Sequence, residues 1–165
     1  MIRRFQRLSL ERQLFLSFFS LCAALLLLFT GITLWLDISR QRHAMDGVIS
    51  NTAAYVASLR PVADMLEQGY PDPQVRQELD AMSQTLSGLD VILVCDTSGM
   101  RFYHTSRQSS GETELTGDEG QRLQEQDSFI TTGYSTHGEQ RRAFHAVYDD
   151  QGALVGFVMV SVFTS

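Results

Sequence analysis

The stretch LDVILVCDTSGMRFYHT (89–105) decides the fold, because its pattern is that of two strands joined by a tight turn. Residues 89–96 form a short apolar run bounded by turn residues, which is typical of a buried strand. The segment 96–99 supplies aspartate, serine and glycine for a turn, and MRFYHT (100–105) resumes the composition of a strand. This hairpin indicates that a sheet begins in the second half of the chain.

The sequence on either side of the hairpin predicts the rest of the domain. Three further strands are expected at SFITTGYST (128–136), QRRAFHAVYD (140–149) and ALVGFVMVSVF (153–163), with turns at 137–139 and 149–152. The polar segment between the hairpin and these strands predicts a short helix near 118–126, and amphipathic helices are expected at 61–69 and 75–86. Helices followed by hairpin-linked strands indicate an α+β domain with one antiparallel sheet.

The amino-terminal run LFLSFFSLCAALLLLFTGITLWL (14–36) carries no charged residue. As a helix it would be about 34 Å long, enough to cross a bilayer core of about 30 Å. Four arginines and one glutamate precede it, so residues 1–13 are expected in the cytoplasm. The run is longer than the apolar core of a signal peptide and no small-residue cleavage site follows it, which favours a retained transmembrane helix over a cleaved signal.

Charge divides the chain at the same place. All 13 basic residues are arginine, and residues 37–165 carry 9 of them against 18 aspartates and glutamates, a net charge of −9. Such an acidic domain is a poor binder of nucleic acid, because phosphate binding requires a basic surface. We therefore expect this part in the bacterial periplasm, anchored in the inner membrane, with no nucleic-acid partner.

Residues 37–60 carry apolar or small side chains at helical spacing, and no proline interrupts them before Pro61. This pattern predicts an extracytoplasmic helix that continues the anchor, followed by a domain at 61–165. The apolar stripe has two interpretations. It packs on its own domain, or part of it pairs with the same helix of a second chain to form a homodimer.

The sequence shows no motif of catalysis. It lacks a phosphate-cradling glycine loop, a dinucleotide fingerprint and metal-ligand spacing among its four histidines, so no cofactor, metal or enzymatic activity is expected. Its unusual feature is arginine within apolar strands, at Arg101 and Arg142. A buried arginine requires an anionic partner, and its planar fork suits a carboxylate. The alternative is that both arginines lie at the surface, paired with the domain's own carboxylates.

Two stretches resemble a known family. RFYH (101–104) and RAFHAVYD (142–149), each within an apolar strand, are similar to the Arg-x-x-His and Arg-x-x-Thr-Pro-hydrophobic-x-Asp motifs of the periplasmic sensor domain of citrate and C4-dicarboxylate sensor histidine kinases. The resemblance covers about residues 10–165. It implies a PAS-like (single Cache) fold, in which a five-stranded antiparallel sheet has helices on one face.

The resemblance also implies a binding site for a small di- or tricarboxylate. Carried over by position, Arg101, His104 and Arg142 would hold the ligand's carboxylates, with Phe144 and His145 beside them. Phe144 stands where citrate-type members tend to have a lysine, which favours two carboxylates over three. Strand alternation separates Arg101 from His104 and His145 from Arg142, so convergence requires a bend in the first strand.

Several interpretations stay open from the sequence. Two positions depart from the family motifs, since Thr105 replaces the usual proline and His145-Ala146 replaces Thr-Pro. The chain stops at Ser165, where the family continues into a second membrane helix, so it is expected to be the amino-terminal part of a longer receptor or a truncated product. The resemblance favours a histidine kinase parent over a chemoreceptor or cyclic-dinucleotide enzyme. The alternative is a single-span structural or assembly protein without a small ligand.

Overall fold

The computed structural model describes residues 10–86, 88–105, 118–135 and 138–163. These residues form four helices and five strands, which follow one another in the expected order. They are α1 (Leu10–Ala57), α2 (Arg60–Gln68), α3 (Pro73–Thr85), β1 (Val91–Asp96), β2 (Arg101–His104), α4 (Glu119–Glu125), β3 (Ser128–Ser135), β4 (Gly138–Tyr148) and β5 (Leu154–Phe163).

The chain divides after His43 into two compact units. In the first unit, the apolar part of α1 leaves large side chains such as Phe18, Leu27 and Trp35 exposed over more than half their surface. Among the described residues, α1 is the one helix long and apolar enough to cross a membrane. So large an exposed apolar surface is compatible with a membrane anchor, because lipid rather than water would cover it.

The second unit contains one five-stranded sheet with the order β2-β1-β5-β4-β3, in which every neighbouring pair is antiparallel. The central strand β5 lies between β1 and β4, as its unbroken apolar sequence requires. The sheet and its helices confirm the α+β, PAS-like fold class expected from the sequence.

One side of the sheet, here called the α1–α3 face, carries the larger hydrophobic core. The carboxyl-terminal turns of α1 pack there with α2 and α3 on alternate residues of the central strands. The fully buried members include Ile49, Val56, Val62, Leu79, Ile92, Val94, Val147, Val158 and Val160. At about 25 cal/mol per Å² of apolar area, this face supplies most of the burial that stabilises the domain.

The opposite side of the sheet, here called the α4 face, carries a second and smaller cluster. Its members come from four strands, and Leu123 of α4 packs on them. They are Leu93, Cys95, Phe129, Phe144, Phe157 and Met159. Arg122 also lies over the Phe129 ring, 4.2 Å from its centroid, so α4 is held against β3 and β4.

Local sequence signals set the helix boundaries. Pro61 lies in the first turn of α2, and Gly69 ends that helix with φ of 74°, a left-handed conformation that favours glycine. Asp72 caps α3 by accepting a hydrogen bond of 2.7 Å from the Gln74 amide. These signals explain why α2 and α3 lie within two residues of their expected positions.

Candidate functional site

The most unusual side chain of the α4 face is Arg142 in β4, whose exposed fraction is only 7%. Its Nη1 donates to both carboxylate oxygens of Glu119, at 3.5 and 3.4 Å. Its Nε donates to Gln140 Oε1 at 3.3 Å, and its Nη2 donates to the Tyr134 carbonyl at 3.1 Å. A guanidinium is thus buried on the sheet, where its charge is balanced by a carboxylate from α4.

Gly133 in β3 makes room for this guanidinium. A Cβ atom at position 133 would lie 2.6 Å from the Cζ and Nη1 atoms of Arg142 and 2.7 Å from its Nε. Real Cβ atoms do not approach heavy atoms so closely, so the group rests directly on the backbone of the neighbouring strand. The position of Arg142 therefore depends on glycine in β3.

Ser161 in β5 lies beside Arg142, because the two residues are paired in the antiparallel ladder and share the α4 face. Its side chain is fully buried, and its Oγ has no hydrogen-bond partner among the described residues. Buried hydroxyls almost always have partners, and one without a partner costs about 1–3 kcal/mol. The protein therefore keeps an unused hydrogen-bonding group next to a buried cation.

The two other predicted cations, Arg101 and His104, come to the same face through a break in strand register. His104 pairs with Leu93, and Arg101 pairs with Cys95. The two residues of β2 are three positions apart, whereas their partners on β1 are only two positions apart. This irregularity is one extra residue in β2, at Phe102. It brings Arg101 and His104 to the same face of the sheet, where simple alternation would place them on opposite faces. Both partners, Leu93 and Cys95, belong to the α4-face cluster, which places Arg101 and His104 with Arg142.

An apolar floor separates the cations at the two sides of this face. Arg142 lies on β4 and the other two lie on β2, about 14 Å away across three strand spacings of about 4.8 Å. The register also offsets Arg142 along the strands, by two residues from His104 and by four from Arg101. Phe144, which is 2% exposed, lies in this floor and stacks on Phe129 with ring centroids 4.9 Å apart. A cavity of about 290 Å³ opens next to the floor, between the β1–β2 turn, α4 and Phe157.

His145 does not join this group. It pairs with Val158, a member of the α1–α3-face core, so it lies on the opposite side of the sheet from Arg142 and Phe144. Its Nδ1 lies 3.0 Å from the Ala146 carbonyl oxygen. The predicted residue His145 is thus the one of the five that the structure places away from the others.

Arg141, the neighbour of Arg142 in sequence, also faces the α1–α3 side. Its Nε and Nη2 donate to the two carboxylate oxygens of Asp46 in α1, at 2.8 and 2.9 Å. These hydrogen bonds raise the pKa of Arg141 above its ordinary value. Arg141 is therefore held in a tight two-bond ion pair with Asp46.

Two residues of the site, Glu119 and Ser161, were not identified from the sequence. Glu119 lies in a polar segment where an acid normally faces water, and Ser161 interrupts an otherwise apolar strand. A single hydroxyl within a fully apolar strand was the available signal for Ser161, because such a residue is buried by its neighbours. Two further basic residues near the strand ends, Arg107 and His137, lie outside the described residues.

The described part of the chain contains no cluster of three or more histidine, cysteine or acidic side chains arranged to hold a metal ion. The α4 face carries cations, the Glu119 carboxylate, the buried Ser161 hydroxyl and an apolar floor. Such a surface suits an anion with a small hydrocarbon skeleton, because the guanidinium forks can each hold a carboxylate by two hydrogen bonds.

Comparison with known proteins bears on the fold. No family model matches the sequence, and no curated protein does. Among solved structures, the chain is similar to an extracellular ligand binding receptor from Desulfohalobium retbaense DSM5692, with 16% identity over 74% of this chain and a TM-score of 0.58. The similarity covers 23% of that receptor, so this chain spans about a quarter of its length.

Two sensor domains are also similar, with weaker superposition. The DcuS sensor domain of E. coli has 18% identity over 71% of this chain and 90% of its own, with a TM-score of 0.47. The sensor domain of a histidine kinase from Clostridium perfringens has 22% identity over 72% of this chain and 93% of its own, with a TM-score of 0.49. At these identities the comparisons describe fold, and the fold that the receptor shares with this chain is the one derived above from its strands.

Proposed function

We propose that this chain is the extracytoplasmic sensing part of a bacterial membrane receptor, in which the α4 face binds a small dicarboxylate. The observation that carries the proposal is the combination of a buried Arg142 with the neighbouring Ser161, whose hydroxyl has no partner within the described part of the chain. Folding gains nothing from a buried polar group without a partner. A ligand carboxylate would provide a partner for the hydroxyl and an anion for the arginine.

The distribution of cations supports a ligand with two carboxylates. Arg142 lies on one side of an apolar floor, and Arg101 and His104 lie on the other side, about 14 Å away across the strands. A ligand with an anion at each end would extend across the floor from one group of cations to the other. The floor residue Phe144 would cover the hydrocarbon between those anions.

The proposed parent is a sensor histidine kinase, on the resemblance of the two arginine motifs. In this proposal a ligand that binds better to one arrangement of the α4 face shifts the protein toward that arrangement. Strand β5 carries Ser161 in the centre of the sheet, so ligand binding at the site would shift this strand.

The proposal is tested by calorimetric titration of the full chain in detergent micelles with malate, fumarate, succinate, tartrate and citrate. We expect micromolar binding of at least one dicarboxylate. Arg142→Gln should weaken that binding at least about thirtyfold, because truncating one partner of a buried charge pair costs several kcal/mol. Arg141→Gln is the matched control, since the same change is made one residue away on the opposite face, and it should leave the affinity unchanged within about twofold.

A second variant guards against misfolding of the first. Arg101 is only half-buried at the sheet edge, so Arg101→Gln should retain the circular dichroism spectrum and still weaken binding. Absence of heat from the folded wild-type chain with all five acids would remove the proposal. The domain would then be a structural or assembly module that shares the fold.

A further inference from the structure

The place next to Arg142 that a ligand carboxylate would take is already filled by a carboxylate of the protein. Glu119, the first residue of α4, has an exposed fraction of only 1%, and both of its oxygens approach Nη1 of Arg142. A glutamate in a seven-residue surface helix normally points to water, where its charge is solvated at no cost. Its burial against the one deeply buried arginine of the described chain requires a reason.

The contacts between Arg142 and Glu119 are long for an ion pair between buried charges. The distances from Nη1 to the glutamate oxygens are 3.4 and 3.5 Å, whereas charge-assisted hydrogen bonds of this kind are usually about 2.7–2.9 Å long. Both oxygens also share one nitrogen, so the two parallel bonds of a guanidinium fork are not formed. On the other face, Arg141 and Asp46 do form them, at 2.8 and 2.9 Å. Glu119 thus balances the charge of Arg142 without the geometry of a strong ion pair.

A ligand carboxylate cannot share this place with Glu119. Two carboxylates against one buried guanidinium would leave a net negative charge in a dry site, and like charges this close disfavour each other strongly. Entry of a ligand therefore requires Glu119 to leave. Because Glu119 is the first residue of α4, its departure moves the first turn of α4 away from β4, while Leu123 and Arg122 hold the rest of that helix on the sheet.

We infer that Glu119 is an internal carboxylate that occupies the anion position at Arg142 until a ligand carboxylate displaces it. This inference rests on the proposed function, since it names how that same site is regulated. It assigns two consequences to Glu119. It lowers the affinity of the site by competition, and it couples binding to release of the first turn of α4.

The test is the variant Glu119→Gln, titrated as the full chain in detergent micelles with the same five acids. Removing the competing charge should tighten binding of the preferred acid by about tenfold or more, because close charge pairs couple by at least 1.4 kcal/mol. Glu125→Gln is the matched control. It makes the same change at the other end of α4, where the side chain is exposed and accepts a hydrogen bond from Gln121, and it should change affinity by less than about twofold.

A second variant and a second measurement keep the test decisive if Glu119→Gln folds poorly. Glu119→Asp retains the charge but withdraws it by one methylene, so it should tighten binding by a smaller factor. Hydrogen exchange of the backbone amides at 119–122 should accelerate when the acid is added to the wild-type chain. The same amides should exchange fast in Glu119→Gln without any acid.

The outcomes separate this inference from the function on which it rests. Tighter binding in Glu119→Gln, with the control unchanged, supports the inference. Weaker or equal binding in Glu119→Gln, with micromolar binding in the wild type, overturns it and leaves the dicarboxylate site standing, because Glu119 would then only position Arg142. No binding in either protein overturns both.

Discussion

The two faces of the sheet treat their buried polar groups differently. On the α1–α3 face, Arg141 meets Asp46 with two short hydrogen bonds, and the Tyr103 hydroxyl donates to Asp80 at 2.8 Å. On the α4 face, Arg142 meets Glu119 at 3.4 Å or more, and the Ser161 hydroxyl has no partner among the described residues. The same sheet thus carries one face with short polar contacts and one with long or missing contacts.

This difference indicates which face folding uses and which face is left for something else. The α1–α3 face holds most of the buried apolar residues, so it supplies most of the stability. The α4 face retains buried charges at a cost that its smaller core does not require. Strain and unsatisfied groups that persist in a stable fold tend to lie at functional sites, where a ligand relieves them.

The largest effect that would sharpen this comparison is expected from Gly133→Ala. The new Cβ would lie 2.6 Å from the guanidinium of Arg142, which is buried and has to shift and lose hydrogen bonds. We expect a loss of about 1–3 kcal/mol in the free energy of unfolding, as for other overpacked sites. The affinity for the preferred acid should fall at least about tenfold, measured by calorimetry.

Gly47→Ala provides the matched control for that change. A Cβ at position 47 in α1 meets no heavy atom within 4 Å, and alanine is favoured over glycine inside a helix by about 0.5–1 kcal/mol. This variant should gain stability and bind normally. If Gly133→Ala bound the acid as tightly as the wild type, Arg142 would not be the anchor of the site, and the comparison of the two faces would lose its functional meaning.

Most of the fold could be predicted from the sequence, because its determinants are local. All five strands lie within two residues of their expected bounds, since turn residues mark where they begin and end. Gly69 and Asp72 ended and capped helices as their chemistry predicts. The long apolar helix was equally predictable, because the absence of charge over 23 residues is a property of composition alone.

The site was predictable only in part, because it depends on contacts between distant segments. The burial of Arg142 was one of two alternatives that the sequence left open. Its partner Glu119 comes from a helix 23 positions away, which no periodicity reveals. The irregularity that brings Arg101 and His104 to one face depends on how β2 pairs with β1. His145 shows the reverse case, since simple alternation already indicated the opposite face.

A smaller effect is expected on the α1–α3 face, at Tyr103. Burial, together with the hydrogen bond to Asp80, raises the pKa of Tyr103 to about 12. The neutral phenol is thus favoured in the folded state, so its contribution to stability is complete below pH of about 10 and is lost as the pH rises toward 12. Tyr103→Phe should cost about 1 kcal/mol at neutral pH.

The difference between wild type and Tyr103→Phe, measured by urea unfolding of the full chain in detergent micelles, should therefore shrink between pH 10 and about 12. Binding of the preferred acid at neutral pH should be unchanged in this variant. A difference that stays constant across that range would mean that Tyr103 ionises as freely as in the unfolded chain. The short contact to Asp80 would then add nothing, and the two faces would be more alike than their geometry suggests.

The smallest effect is expected from Ser161→Ala, which should raise stability and lower the affinity for the acid. Removing a buried hydroxyl that has no partner among the described residues should raise the free energy of unfolding by up to about 1 kcal/mol. The same change should lower the affinity for the preferred acid about fivefold, since one hydrogen bond to the ligand is lost. Ser83→Ala, which removes a hydroxyl that donates to the Asp80 carbonyl at 2.9 Å, should lower stability and leave binding intact. Ligand binding would explain a hydroxyl that destabilises the free protein and strengthens the complex. Loss of stability in Ser161→Ala would show instead that this hydroxyl serves folding, as the buried polar groups on the α1–α3 face do.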